Sequence, residues 1–177
     1  MPGPGVYSMK SWGKLAAASF FLVLVGVVAW IITPCRAEEK AVTGPLQVGK
    51  RDLCPVCGMF VHKYPNWLAQ VVFSDGTCAS FDGPKDMFKY LFDLRKFNPK
   101  KSLGEIAGLW VTDYYTTKWI DGKQAHYVIG SDVLGPMGHE LVPHSNDKAA
   151  RSFSKDHAGA RILKFDEVDL NLIESLR

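Results

Sequence analysis

The chain has 177 residues, 47% of them hydrophobic, which suits one packed domain or two small halves and excludes a wholly disordered protein. Its 21 basic and 18 acidic residues give a net charge of +3 and are scattered among one another along the chain. Because nucleic-acid-binding domains concentrate their basic residues in a patch or stripe, this distribution argues against a nucleic-acid partner.

An uncharged apolar run at residues 15–32 follows Lys10 and Lys14 near the N-terminus. Its length is at the short end for a membrane-spanning helix and at the long end for a cleaved signal peptide. The two lysines favour an N-terminus that stays in the cytoplasm and a body that is exported. We therefore predict that residues 1–37 form a signal anchor or a signal peptide.

The processing of this segment is less strongly indicated. Cys35 stands where the lipidated cysteine of a lipoprotein would, but the preceding Ile32-Thr33-Pro34 is a poor match to the small residue usual before it. An uncleaved signal anchor is therefore favoured over lipidation at Cys35. Residues 38–51 are polar and interrupted by glycine and proline, which predicts a linker. Both alternatives tether the body outside the cytoplasm, on the periplasmic side of the inner membrane.

The rest of the chain shows the same order of patterns twice, and we predict an α+β fold of two similar ββαβ units, residues 52–117 and 118–177. The first unit is predicted to contain strands at 68–73 and 77–81, a helix from Asp82 or Gly83 to about Leu94, and a strand at 109–116. The second is predicted to contain strands at 125–129 and 140–143, a helix from Ser145 or Asn146 to about His157, a strand at 161–165 and a terminal helix at 168–176.

Three soft sulfur atoms lie within six residues, in Cys54-Pro55-Val56-Cys57-Gly58-Met59. Thiolate and thioether ligands together favour Cu(I), whereas structural zinc normally needs four protein ligands and no second CxxC pair exists. A structural disulfide between Cys54 and Cys57 stays open, since cysteines outside the cytoplasm tend to oxidise. The Met59 side chain could instead pack in the hydrophobic core.

A second cluster of metal-binding residue types lies far along the chain, in Gly135-Pro136-Met137-Gly138-His139-Glu140. Met137 falls in a predicted loop, where side chains are seldom buried, and the flanking glycines permit a close approach of backbone to a metal. His139 offers an imidazole, although a solvated loop histidine is the equal alternative. Two such clusters predict a metal site closed between distant segments.

The order of these motifs resembles the NosL family, copper-binding accessory proteins for the maturation of nitrous-oxide reductase. The likeness extends from about Asp52 to the C-terminus and includes Cys54 to Met59, Tyr64-Pro65-Asn66-Trp67-Leu68-Ala69-Gln70 and Gly135-Pro136-Met137-Gly138-His139-Glu140-Leu141-Val142-Pro143. The resemblance implies a Cu(I)-binding metallochaperone, not an enzyme. Its implied partners are an apo copper enzyme, nitrous-oxide reductase, and the membrane complex that matures it.

The resemblance also ranks the ligands. The copper motif of the family is Cys-x-Met, which Cys57-Gly58-Met59 matches, so Cys57 is a stronger candidate than Cys54. Met137 is implied as a ligand from the second cluster, and His139 is a further candidate. The doubled ββαβ arrangement is one that NosL-like proteins share with organomercurial lyases.

Two enzyme classes are the rival interpretation: a thiol–disulfide oxidoreductase using the CxxC pair, or an organomercurial-lyase-like enzyme. A redox CxxC lies at a helix start, where its thiol pKa is lowered, and the sequence after Cys57 has no helical period. The remaining polar residues are expected to have structural roles. Asp82, Asp86 and Asp113 are predicted at helix starts or strand ends, and Cys78 is predicted to be a small buried residue.

Overall fold

A computed structural model of the chain describes residues 44–176. The predicted signal segment and most of the predicted linker lie outside this range. Within it, the helices are all too short or too polar to cross a membrane.

The described residues form nine strands, four α-helices and three short 3-10 helices. The strands are β1 (Ala69–Phe73), β2 (Cys78–Phe81), β3 (Ile106–Thr112), β4 (Trp119–Asp121), β5 (His126–Ile129), β6 (Leu134–Gly135), β7 (Gly138–His139), β8 (Val142–His144) and β9 (Arg161–Leu163). The α-helices are α1 (Pro84–Phe92), α2 (Leu94–Phe97), α3 (Asp147–Asp156) and α4 (Leu170–Ser175). The 3-10 helices are Val61–Lys63, Leu103–Glu105 and Phe165–Glu167.

Two antiparallel sheets have the same topology, which confirms the predicted α+β fold of two ββαβ units. One sheet has the order β2-β1-β3-β4, and the other has the order β8-β5-β9. In each, the first strand of the unit lies between the second and third, and a helix connects those two flanking strands. The strand β4 lies within the range predicted for the second unit but pairs with β3 of the first.

One large core receives side chains from both units. Phe88 of α1 packs edge-on against Tyr127 of β5, with ring centroids 5.3 Å apart. Since side chains alternate along a strand, Val128 points to the opposite face of its sheet. There it forms a second, smaller cluster with Phe153 of α3.

Two local predictions differ from the structure. The strand β3 ends at Thr112 rather than at residue 116, because Asp113 starts a turn in which its Oδ1 accepts hydrogen bonds from the backbone N–H and the hydroxyl of Thr116, each at 2.8 Å. Cys78 was predicted to be buried, but it is exposed, because it is the first residue of the edge strand β2.

The N-terminal end of the described chain is attached to the first sheet by a buried glutamine. Gln70 Oε1 accepts the Leu46 N–H at 2.8 Å, and Gln70 Nε2 donates to the Leu46 carbonyl at 2.9 Å and to Ser80 Oγ at 3.1 Å. All the polar atoms of this buried amide are therefore paired. Leu46 is fixed against the domain through both of its backbone polar groups.

Asp113 joins the two units. Its buried carboxylate accepts two hydrogen bonds from Thr116 and, through Oδ2, one at 2.7 Å from the backbone N–H of Ser145 before α3. Burial acts to raise the pKa of Asp113, but the hydrogen bonds from Thr116 and Ser145 outweigh it and lower that pKa below its usual value. The charged carboxylate therefore contributes to stability.

We expect Asp113→Ala to lower the free energy of unfolding by about 2–3 kcal/mol at pH 7, because it leaves buried donors without an acceptor. Since the folded-state pKa is lowered, the contribution is complete above the ordinary pKa of 3.8 and is lost as pH falls through the lower folded-state value. The difference between native and variant, measured by urea unfolding, should thus shrink in acid. Asp166→Ala, at an exposed position, is the control and should change stability little at either pH.

Candidate metal centre

The Cys54–Met59 segment forms a closed turn before the first sheet. The Cys54 N–H donates to the Met59 carbonyl and the Gly58 N–H donates to the Cys54 carbonyl, both at 2.9 Å. Gly58 has a φ of +77°, a left-handed conformation that glycine adopts without steric cost. Leu53 and Phe60 pair across the base of the turn. The turn brings both cysteines of the CxxC pair to one side, with Cys54 buried and Cys57 half-buried.

Each thiol of this pair meets an aspartate from the start of α1. Cys57 Sγ donates to Asp82 Oδ1 at 3.2 Å, and Cys54 Sγ donates to Asp86 Oδ2 at 3.4 Å. One donor atom from each of the four residues lies within 4.8 Å of the others. We call these four residues the thiol–carboxylate cluster.

The second oxygen of each carboxylate is available to a ligand. Asp82 Oδ2 and Asp86 Oδ1 are buried and accept no hydrogen bond within the described part of the chain. Lys89 Nζ lies 3.4 Å from Asp86 Oδ1 as an ion pair, without hydrogen-bond geometry. Buried polar atoms are normally hydrogen-bonded, so these two oxygens, of which Asp86 Oδ1 has only the Lys89 ammonium nearby, mark a place beside the two thiols where a cation fits.

Burial keeps both thiols protonated in the protein without metal. It raises the pKa of Cys57 to about 12, and the hydrogen bond with Asp82 acts in the same direction. The pKa of Cys54 is raised further, because this thiol is more deeply buried. A metal that binds here must therefore displace the thiol protons, which ties its affinity to pH.

The Met137 and His139 segment folds as the β6–β7 hairpin, with both side chains exposed. Met137 is 44% exposed and lines a groove of about 420 Å³ along α1 and α4, together with Lys89, Phe97 and Leu170. His139 is outside the thiol–carboxylate cluster. Met59 is half-buried at the end of the cysteine turn.

Comparison with known proteins agrees with this architecture. The NosL family model matches residues 45–173, well over half of the chain. The chain belongs to the NosL family. A relative from Stutzerimonas stutzeri, named copper-binding lipoprotein NosL, is 27% identical over 176 residues, which cover 94% of this chain and 87% of the relative. The crystal structure of the copper chaperone NosL from Shewanella denitrificans superposes with a TM-score of 0.63, at 20% identity, over 73% of this chain and 98% of that one.

In this NosL family member, the sequence prediction missed the two aspartates of the cluster. Both were expected at the helix start, and both lie there: Asp82 precedes the N-cap residue Gly83, and Asp86 is in the first turn of α1. Their contacts with the two thiols were not expected. The signal available in the sequence was the spacing of four residues between two acids at the start of a helix, which places them near one face.

The two carboxylates change the argument against zinc that rested on the number of ligands. The sequence offered too few ligands for zinc, whereas the cluster supplies two sulfur and two oxygen donors, a set that tetrahedral zinc accepts. Ligand number therefore no longer separates zinc from copper. Donor softness would separate them if the thioether of Met59, two residues after Cys57, joined the site, because thioether sulfur favours Cu(I).

We expect Cys57 to react with iodoacetamide at pH 7 at least about 100-fold more slowly than a peptide thiol, because only the thiolate is nucleophilic and its fraction is small at a pKa of about 12. The rate should rise with pH up to at least pH 10. Peptide-resolved mass spectrometry of the metal-free protein measures it.

Asp82→Asn should speed the alkylation of Cys57, because the neutral amide no longer disfavours the thiolate. Asp166→Asn, an exposed change far along the chain, is the matched control and should leave the rate unaltered. A native rate equal to that of a peptide thiol would contradict the contact between Cys57 and Asp82.

Proposed function

We propose that this protein is a Cu(I) carrier that acts outside the cytoplasm and delivers copper to nitrous-oxide reductase or a related copper enzyme. Membership of the NosL family supports the proposal, as do the names of its relatives, a copper-binding lipoprotein and a copper chaperone. The observation that carries it is the juxtaposition of a buried and a half-buried thiol in a turn that ends in a methionine, a soft donor set suited to monovalent copper.

The proposed ligands are Cys57, Met59, Met137 and His139, with Cys54 as an assisting thiol. Cys57 is half-buried and Cys54 is almost inaccessible, so Cys57 is the thiol that an incoming ion meets first. Exposure of Met137 and His139 on a short hairpin suits arms that close on the ion and open for its release. Copper moves by exchange of one ligand at a time: each bond from copper to an incoming ligand replaces one bond to the carrier, and the oxidation state does not change.

We further propose that the chain is tethered to the membrane, on its periplasmic side. The apolar residues 15–32 and the following Cys35 support a tether, and the relative from Stutzerimonas stutzeri is named a lipoprotein. The recipient enzyme and its membrane maturation complex would then meet the carrier at the same surface. Attachment to the membrane raises the local concentration of the partners.

The enzyme alternatives have little support in the geometry. The CxxC pair lies in a turn rather than at a helix start, and the pKa of Cys57 is raised rather than lowered. Thiol–disulfide exchange at neutral pH needs a thiolate at the attacking cysteine, so these thiols are poorly poised for it. A carrier needs no such activation, because the metal itself displaces the proton.

We expect the reduced protein to bind one Cu(I) per chain far more tightly than Zn(II) in anaerobic competition with chromophoric chelators of each ion. Cys57→Ser should weaken Cu(I) binding most, since it removes a charged soft donor, whereas Met59→Ala, Met137→Ala and His139→Ala should each weaken it less. Cys54→Ser should have an intermediate effect. Preferential binding of Zn(II), or a silent Cys57→Ser, would overturn the proposed site.

Delivery is tested separately. Copper-loaded protein should transfer Cu(I) to metal-free nitrous-oxide reductase faster than a small chelator of equal Cu(I) affinity, because ligand exchange proceeds inside a protein–protein complex. Metal analysis of the two proteins after rapid separation measures the transfer. Equal rates from the carrier and the chelator would show that copper passes through solution and that no specific handover occurs.

A further inference from the structure

A buried lysine fixes the backbone of the β6–β7 hairpin. Lys85 Nζ donates to the carbonyl oxygens of Met137 at 2.8 Å, His139 at 2.6 Å and Leu176 at 3.1 Å. An ammonium group has three N–H donors, and here each has a carbonyl partner. Lys85 is 3% exposed, so these bonds are shielded from water. Two of the three carbonyls belong to the residues proposed as distant metal ligands.

Glu140 holds the same hairpin at its other end. Its Oε1 accepts the backbone N–H groups of Lys85 at 2.6 Å and of Leu141 at 2.9 Å. The carboxyl group fits only because residue 83 is glycine: a Cβ there would lie 2.3 Å from Glu140 Oε2. Both the main chain and the side chain of Lys85 therefore bind the segment that runs from Met137 to Glu140.

The same turn of α1 contacts the cysteines. Asp82 and Asp86, on either side of Lys85 in sequence, accept the hydrogen bonds of Cys57 and Cys54. One short stretch of chain thus connects the cysteine turn, which precedes it by about 25–32 residues, with the hairpin, which follows it by more than 50 residues. A shift of this turn would move the two halves of the proposed ligand set apart.

Burying the ammonium group of Lys85 to hold the hairpin costs free energy of folding. Its desolvation opposes folding, and an apolar side chain of similar length would fill the same space without that cost. We propose that Lys85 is a positioning residue, which holds Met137 and His139 within reach of a metal bound at the cysteines. This inference rests on the proposed Cu(I) function and adds a residue that touches no metal.

Lys85→Met keeps the length of the side chain and removes its three donors. We expect it to weaken Cu(I) binding roughly 10-fold, as the loss of outer partners does at other metal sites. In this background Met137→Ala should cause no further loss, because the methionine is no longer held in place. X-ray absorption of the Cu(I) form should show fewer thioether and imidazole ligands. The control is Lys148→Met, an exposed lysine of α3, which should bind Cu(I) as the native protein does.

Gly83→Ala is a milder test if Lys85→Met does not fold. Its backbone φ of −169° suits any residue, but the added methyl group displaces the carboxyl of Glu140. A few-fold loss of Cu(I) affinity that disappears in the Met137→Ala background would support the inference.

Three other results would count against it. If Met137→Ala weakens Cu(I) binding equally in the native, Lys85→Met and Gly83→Ala backgrounds, Lys85 does not act through the hairpin. If Met137→Ala and His139→Ala are silent in the native chain while Cys57→Ser is not, the copper function stands and the positioning role falls. If native protein binds no Cu(I), both fall.

Discussion

The structure depends on the contact between two buried aspartates at the start of α1 and two thiols, of which Cys54 is buried and Cys57 is half-buried. Each sulfur donates to one aspartate oxygen, and the other oxygen of each aspartate accepts no hydrogen bond within the described residues, although Asp86 Oδ1 forms an ion pair with Lys89. Such a group is costly in the absence of a cation, since desolvation and neighbouring negative charge both oppose ionisation of the thiols. A bound cation reverses both effects. Binding of the proposed metal would therefore offset much of the cost of burying these groups.

The first turn of α1 is the structural junction of the molecule. It binds the cysteine turn through Asp82 and Asp86, and the hairpin through Lys85 and the partner carboxyl of Glu140. Its glycine offers no side-chain cap and leaves room for that carboxyl. The side chains of Asp82, Lys85 and Asp86 form hydrogen bonds with distant segments instead of capping the helix or facing solvent. The helix start therefore contacts both the cysteine turn of the first unit and the hairpin of the second.

Periodicity and turn residues were enough to predict the two ββαβ units, because hairpins and amphipathic helices are local patterns. The CxxC motif was likewise visible, since its residues are adjacent. The roles of Asp82 and Lys85 were not, because their partners are 25 and 52–91 residues away and nothing local distinguishes them from ordinary helix-start residues. The end of β3 was misplaced for a related reason: the Asp113 side chain competes with the strand for backbone hydrogen bonds.

The two hydrogen bonds between the Gln70 side chain and the Leu46 backbone bear on where the proposed carrier could act. If residues 15–32 anchor the chain in a bilayer, residues 33–45 are the segment between the anchor and Leu46, which is hydrogen-bonded to the domain. At about 3.4 Å per residue these 13 residues extend at most about 45 Å. If the chain is anchored as proposed, this length sets how far Leu46 can lie from the membrane, and the proposed recipient would have to present its copper site within the corresponding distance.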